Sequence, residues 1–202
     1  MSDVSYSKQE IAIGPVGRNS LGWWAVLCFI VSEAALFGYL FFSYYYYAVQ
    51  IGAPWYPLHH RPDFIYALPA VCIMILSGAP TWFAEFGARH SRKGNLLAGL
   101  SITIVLGLFF IGLQMVEWKS KPFTLSSNEY GSIFFIIEGA HLAHLCVGLL
   151  GLLMVLLWSV FGYFDERRTA PVVVVTTYWY FVIVVAIFQF CILYVTPYLR
   201  VP

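Results

Sequence analysis

Between Lys93 and Glu117, and again between Arg168 and Arg200, the chain carries no formal charge. Crossing the hydrocarbon core of a bilayer takes about 20 apolar residues of helix, and both runs are long enough. Inside hydrocarbon every backbone N–H and C=O must be satisfied within the chain, so such runs are helical. Three more apolar runs, each holding only one or two charged residues, give five predicted spans, at about 21–47, 64–89, 95–118, 130–163 and 172–198. The expected fold is an all-α integral membrane protein. A polar tail at 1–20 precedes a single transmembrane domain of five helices at 21–202.

Composition excludes the water-soluble alternatives. With 60% hydrophobic and 10% charged residues, the chain cannot present a soluble surface of ordinary charge density. Its net charge of +1, with no basic stripe, excludes a nucleic-acid partner. Cys28, Cys72, Cys146 and Cys191 fall inside apolar runs without CxxC spacing, and they read as buried thiols rather than a disulfide frame or a metal clip. The first apolar stretch is too long for the core of a signal peptide and reads as a retained span.

Polar side chains within the spans are where function should reside. Glu138, His141 and His144 sit in the apolar segment Tyr130 to Gly151. A charged group at that depth costs about 2.5 kcal/mol or more, so these side chains should face protein or a polar cleft. Successive three-residue steps spread them over an arc of roughly 120° centred on His141. Ala140, His144 and Gly148 form an i, i+4 ridge where small residues admit another helix. Glu33 lies about 13 residues, or roughly 20 Å, into the first span. At that depth it is a proton site, a lipid contact or an inter-helix bond, unless it is a neutral acid kept for packing.

The remaining signals are structural or weak. Glu138-x-x-His141 matches half of a carboxylate-bridged di-metal motif, but the second half is missing, and Glu85 and Glu117 lie at opposite ends of neighbouring spans. No metal ligand set is therefore assigned. His59-His60 reads as a surface turn, Tyr44 to Tyr47 as an interfacial belt, and Glu85 with Arg89 as an i, i+4 pair. Pro80 should bend the second span, and the short links predict consecutive helices packed antiparallel.

Several stretches together resemble subunit III of the haem-copper respiratory oxidases, of which cytochrome c oxidase is one. Trp23-Trp24 with Ser32-Glu33-Ala-Ala-Leu-Phe37 is similar to the family's glutamate-bearing helix. Gln114-Met-Val-Glu117-Trp118 resembles its Gln-x-x-Glu-aromatic helix end. Tyr130-Gly-Ser-Ile-Phe-Phe135 followed by Gly139-Ala-His141-Leu-Ala-His144-Leu-Cys-Val-Gly148 resembles its most recognisable signature. Five spans look like the short bacterial form, which lacks two amino-terminal helices. Two departures stand out: Tyr180 and Ile183 replace a His and an Asp, and Glu138 occupies a position where a small or hydroxyl residue is usual.

The resemblance implies an accessory, non-catalytic subunit of a multi-subunit oxidase in a bacterial inner membrane. It would bind no haem or copper itself, those centres lying in partner subunits. Subunit I would pack directly against it, with subunit II in the same complex. Structural phospholipid would lie in a cleft between its first two helices and the rest, and the subunit would support proton uptake and the durability of the active site. Glu33 corresponds to the family's buried glutamate and His141 and His144 to its paired histidines. A similar subunit accompanying nitric oxide reductases is the alternative, and a proton-coupled transporter is a third class, disfavoured by the lack of an internal repeat.

Two expectations concern geometry. Seven basic residues fall on the side of the tail and four on the other, which places the amino terminus in the cytoplasm. The midpoints of the first and fourth spans fall near Ala34 and Cys146, so depth favours His144 over His141 as the partner of Glu33.

Overall fold

The computed structural model describes residues 21–52, 55, 63–162, 164 and 169–199. The tail, the His59-His60 turn, Tyr163, the Asp165 to Arg168 link and Arg200 lie outside the described residues. Five apolar helices long enough to span a membrane account for nearly all the described chain. They are α1 (Leu21–Ile51), α2 (Phe64–Arg89), α3 (Lys93–Ser120), α4 (Glu129–Val160) and α5 (Ala170–Phe190). A π-helical turn, Cys191–Val195, carries α5 into a last short turn, α6 (Thr196–Leu199). The observed spans exceed the expected ones at most ends. The fourth stops at Val160, after which Gly162 takes a positive φ of 78°.

α5 sits at the centre, touching α1, α2 and α4, while α3 packs between α2 and α4. The α2–α3 contact is the most extensive in the bundle. Glycine makes it possible: a Cβ at Gly99 would lie 2.6 Å from the Pro80 carbonyl oxygen, and one at Gly87 2.6 Å from the Leu96 nitrogen. Polar rungs reinforce these apolar seams, as expected where lipid supplies no hydrophobic drive between helices. Thr81 and Thr103 hydroxyls meet at 3.1 Å, and Trp179 Nε1 donates to Ser77 Oγ at 3.0 Å. The Trp179 ring is wedged between two helices, because Gly107 on α3 and Gly148 on α4 would each bring a Cβ within 2.9 Å of it. Gly148 thus lets α5 approach along the predicted small-residue ridge.

Several expectations meet a different geometry. α1 rests on α5 and α4 rather than on its neighbour α2, because the link between α1 and α2 is the longest between consecutive spans and does not force a tight hairpin. α2 packs most closely on α3 rather than standing apart with α1. Pro80, where a bend is expected, lies inside α2, which runs as one helix. All four cysteines are free thiols on the outside of the bundle. The reading of them as buried is corrected: an apolar thiol is as well accommodated by lipid as by a protein core, so apolar context does not fix which side it faces. Tyr45, Tyr46 and Tyr47 point outward as a belt would, whereas Tyr44 is fully buried among Trp55 and Tyr130. Glu85 and Arg89 pair at 2.6 Å as the spacing predicts.

Candidate functional site

α1 buries one narrow stripe, Val26, Phe37, Tyr44 and Ala48, and exposes most of its remaining surface. Glu33 lies on that stripe one turn before Phe37. Its Oε2 meets His144 Nε2 of α4 at 2.8 Å. Phe37 presses edge-on against the His144 ring, with centroids 4.9 Å apart, and Phe29 packs on Tyr178 one turn the other way. The Tyr178 hydroxyl donates to the His144 carbonyl at 3.2 Å, tying α5 into the same point. The side chains of Glu33 and His144 remain about a fifth exposed, at 19% and 17%.

The hydrogen-bond pattern fixes how many protons this pair holds. His144 Nδ1 faces the Ala140 carbonyl oxygen at 2.7 Å. A carbonyl only accepts, so Nδ1 carries a hydrogen. The contact between Nε2 and Oε2 then needs one proton, either on a neutral glutamic acid donating to imidazole or on an imidazolium donating to carboxylate. In both forms the pair is electrically neutral overall, which is what the interior of a membrane tolerates. The site is therefore a one-proton hydrogen bond joining α1 to α4.

His141 and Glu138 belong to a different interface. His141, 1% exposed, points Nε2 at the Val182 carbonyl oxygen of α5 at 3.2 Å and its ring edge at Phe110 of α3. Glu138, 2% exposed, accepts a hydrogen bond from the side-chain amide of Gln114. Glu117 lies one turn along α3 from Gln114. It accepts from the Tyr194 hydroxyl and pairs with Lys121 Nζ at 2.9 Å. Glu117, Gln114, Glu138, His141, Gln189 and Tyr194 all line one small cavity. The predicted polar arc on α4 is thus divided, with His144 turned to α1 and the other two turned to α3 and α5.

Three polar residues around Glu117 and Glu138 were not singled out from the sequence. Gln189 and Tyr194 complete the cavity from α5 and the π-helical turn, and Lys121 supplies its only adjacent cation among the described residues. Gln189 is a polar residue in a charge-free span, and that isolation was the signal available for it. Tyr194 had none. No three His, Cys, Asp or Glu side chains among the described residues converge as a metal-binding group. The side chains of Ile183 and Tyr180 both approach Gly78 of α2, while Val182 between them turns its carbonyl to His141.

Known proteins carry the same pattern. A family model described as Cytochrome c oxidase subunit III matches residues 18–198. Among curated proteins, a cytochrome c oxidase subunit 3 from Neurospora crassa is 34% identical over 144 residues, which is 68% of this chain and 53% of that protein. One from the octopus Enteroctopus dofleini is 31% identical over 149 residues, 71% of this chain and 73% of its own. One from the lancelet Branchiostoma lanceolatum is 30% identical over 149 residues, covering 71% of this chain and 57% of the relative. The chain therefore spans little more than half the length of most of these relatives. With the match extending across all five helices and both polar sites, the chain belongs to the cytochrome c oxidase subunit III family.

Proposed function

We propose that this chain is the accessory third subunit of a haem-copper terminal oxidase in a bacterial inner membrane. It binds no redox centre, packs directly against subunit I in a complex that includes subunit II, and supports proton uptake and the durability of the active site during turnover. The observation that carries this reading is the Glu33–His144 bond: one proton held between two helices, partly open to the surroundings, in a chain of this family. Such a pair can pass its proton on and take up another one for one, so that the site returns to neutrality after each exchange. Structural phospholipid would lie beside α1, the helix with the least of its surface against the rest of the bundle. The amino terminus would be cytoplasmic.

Affinity purification of the full chain from native membranes tests the assignment. A haem-copper large subunit should co-purify. A nitric oxide reductase subunit, or no large subunit, would overturn it. In the purified complex Glu33→Ala should leave haem and copper content unchanged while proton uptake slows and activity is lost sooner during turnover. Unchanged uptake and lifetime would remove the functional role from Glu33.

A further inference from the structure

The cavity between α3, α4 and α5 is separate from the Glu33–His144 bond and uses different residues. It has about 20 Å³ open to the centre of a water molecule, and one water needs roughly 10–15 Å³ by that measure. Gln189, 5% exposed, lines it, and the Gln189 Oε1 has no hydrogen-bond partner among the described residues. An unpaired buried acceptor costs about 1–3 kcal/mol, so a donor belongs there.

The surrounding groups define that donor. His141 spends its Nε2 hydrogen on the Val182 carbonyl, which leaves Nδ1 of the neutral ring as an acceptor. The Gln114 and Gln189 amides already donate to Glu138, and the Tyr194 hydroxyl to Glu117, so within Gln189 only Oε1 is open. Toward Glu138 the titratable and charged groups are Glu117 and Lys121 from the α3 end, His141 on α4 and Tyr194 beyond α5. α2 contributes only Ala67, Ala70 and Val71. One cation serves two carboxyl groups, and Lys121 lies against Glu117. An anion would meet two acids, and no metal-binding trio is present among the described residues. A neutral donor the size of one water satisfies these constraints.

We propose that this cavity is a binding site for a single water molecule, which donates to Gln189 Oε1 and exchanges protons one for one with a protonated Glu138. It is a second proton-holding site, independent of Glu33. Its hydrogen count follows from the geometry: Glu117 keeps its charge against Lys121, and Glu138 keeps a hydrogen.

Infrared spectroscopy of the full chain in lipid nanodiscs, in a Glu33→Gln background that removes any acid signal from the first site, tests the proton. A carboxylic-acid C=O band should be present, shift down in D2O and vanish on adding Glu138→Gln. A high-resolution electron-microscopy map of the same particles should show one ordered density in the cavity within hydrogen-bond distance of Gln189 Oε1. Gln189→Leu, which preserves volume and spares the acid, should abolish that density and shift the acid band, and it keeps the question answerable if the Glu138 variant does not fold. Absence of the acid band, its persistence in Glu138→Gln, or Gln189 Oε1 bonded directly to Glu138 with no density beside it would each overturn the proposal.

Discussion

A neutral amide can replace part of what the Glu33 carboxyl does. At Glu33 the partner is a ring nitrogen, His144 Nε2, with Nδ1 already committed to the Ala140 carbonyl. Glu33→Gln can donate an amide hydrogen to Nε2 and retain the bond, whereas Glu33→Ala leaves His144 Nε2 without a partner in a mostly buried position. The expected result is a stability loss of about 1–3 kcal/mol for Glu33→Ala and a much smaller one for Glu33→Gln, measured by thermal unfolding in detergent. Proton uptake by the complex should fall in both, because neither retains the exchangeable proton. Equal stability of the two variants would mean that the bond contributes nothing to holding α1. The pairing itself was legible in the sequence from helix midpoints alone. The Gln189 and Tyr194 contributions were not. The π-helical turn bonds i to i+5, with the Thr196 amide reaching the Cys191 carbonyl, and so places residues about five apart on one face. An ordinary helical wheel separates Gln189 from Tyr194, and the structure brings both to the same cavity.

At the scale of helices, apolar length identified all five spans, and the family signature fell on the residues that make the contacts. Contact order in space was harder to read. Consecutive helices pack together from α2 onward, but α1 bypasses α2 for α4 and α5, since a long link imposes no neighbour. Which face of an apolar helix turns inward is also faint where lipid and core are equally apolar, and the outward cysteines show it. Small residues are the better guide. A Cβ at Gly99 would strike backbone atoms of Pro80 and Ala84 at 2.6 and 2.7 Å, which cannot swing aside as a side chain does, whereas Gly112 on the same helix has nothing within 4 Å. Gly99→Ala should therefore force α2 and α3 apart and lower stability by about 1–3 kcal/mol, as overpacking does, while Gly112→Ala stays neutral or slightly stabilising. Thermal unfolding of the two variants in one detergent gives the comparison. Matching behaviour would show that the α2–α3 seam can widen without cost.

For the whole molecule the open question is which way the bundle faces, and the two polar sites give the answer different consequences. Glu117 and Glu138 sit toward the membrane face that carries the 121–128 loop, since α3 ends at Ser120 and α4 begins at Glu129. Glu33 and His144 lie deeper, near the middle of α1 and α4. In the proposed orientation, which rests on the sequence count of seven basic residues in the tail and two links against four in the others, the 90–92 and 165–168 links would be cytoplasmic. The cavity with Glu138 would then open toward the outer face, and a proton exchanging there would communicate with the outside, not with the cytoplasmic side from which uptake is expected. A fluorescent-protein fusion within 165–168 should fluoresce and an alkaline phosphatase fusion there stay inactive, with the reverse result for fusions within 121–128. The opposite pattern would invert the bundle, put the Glu138 water on the uptake side and make that site, in place of Glu33, the nearer one to incoming protons.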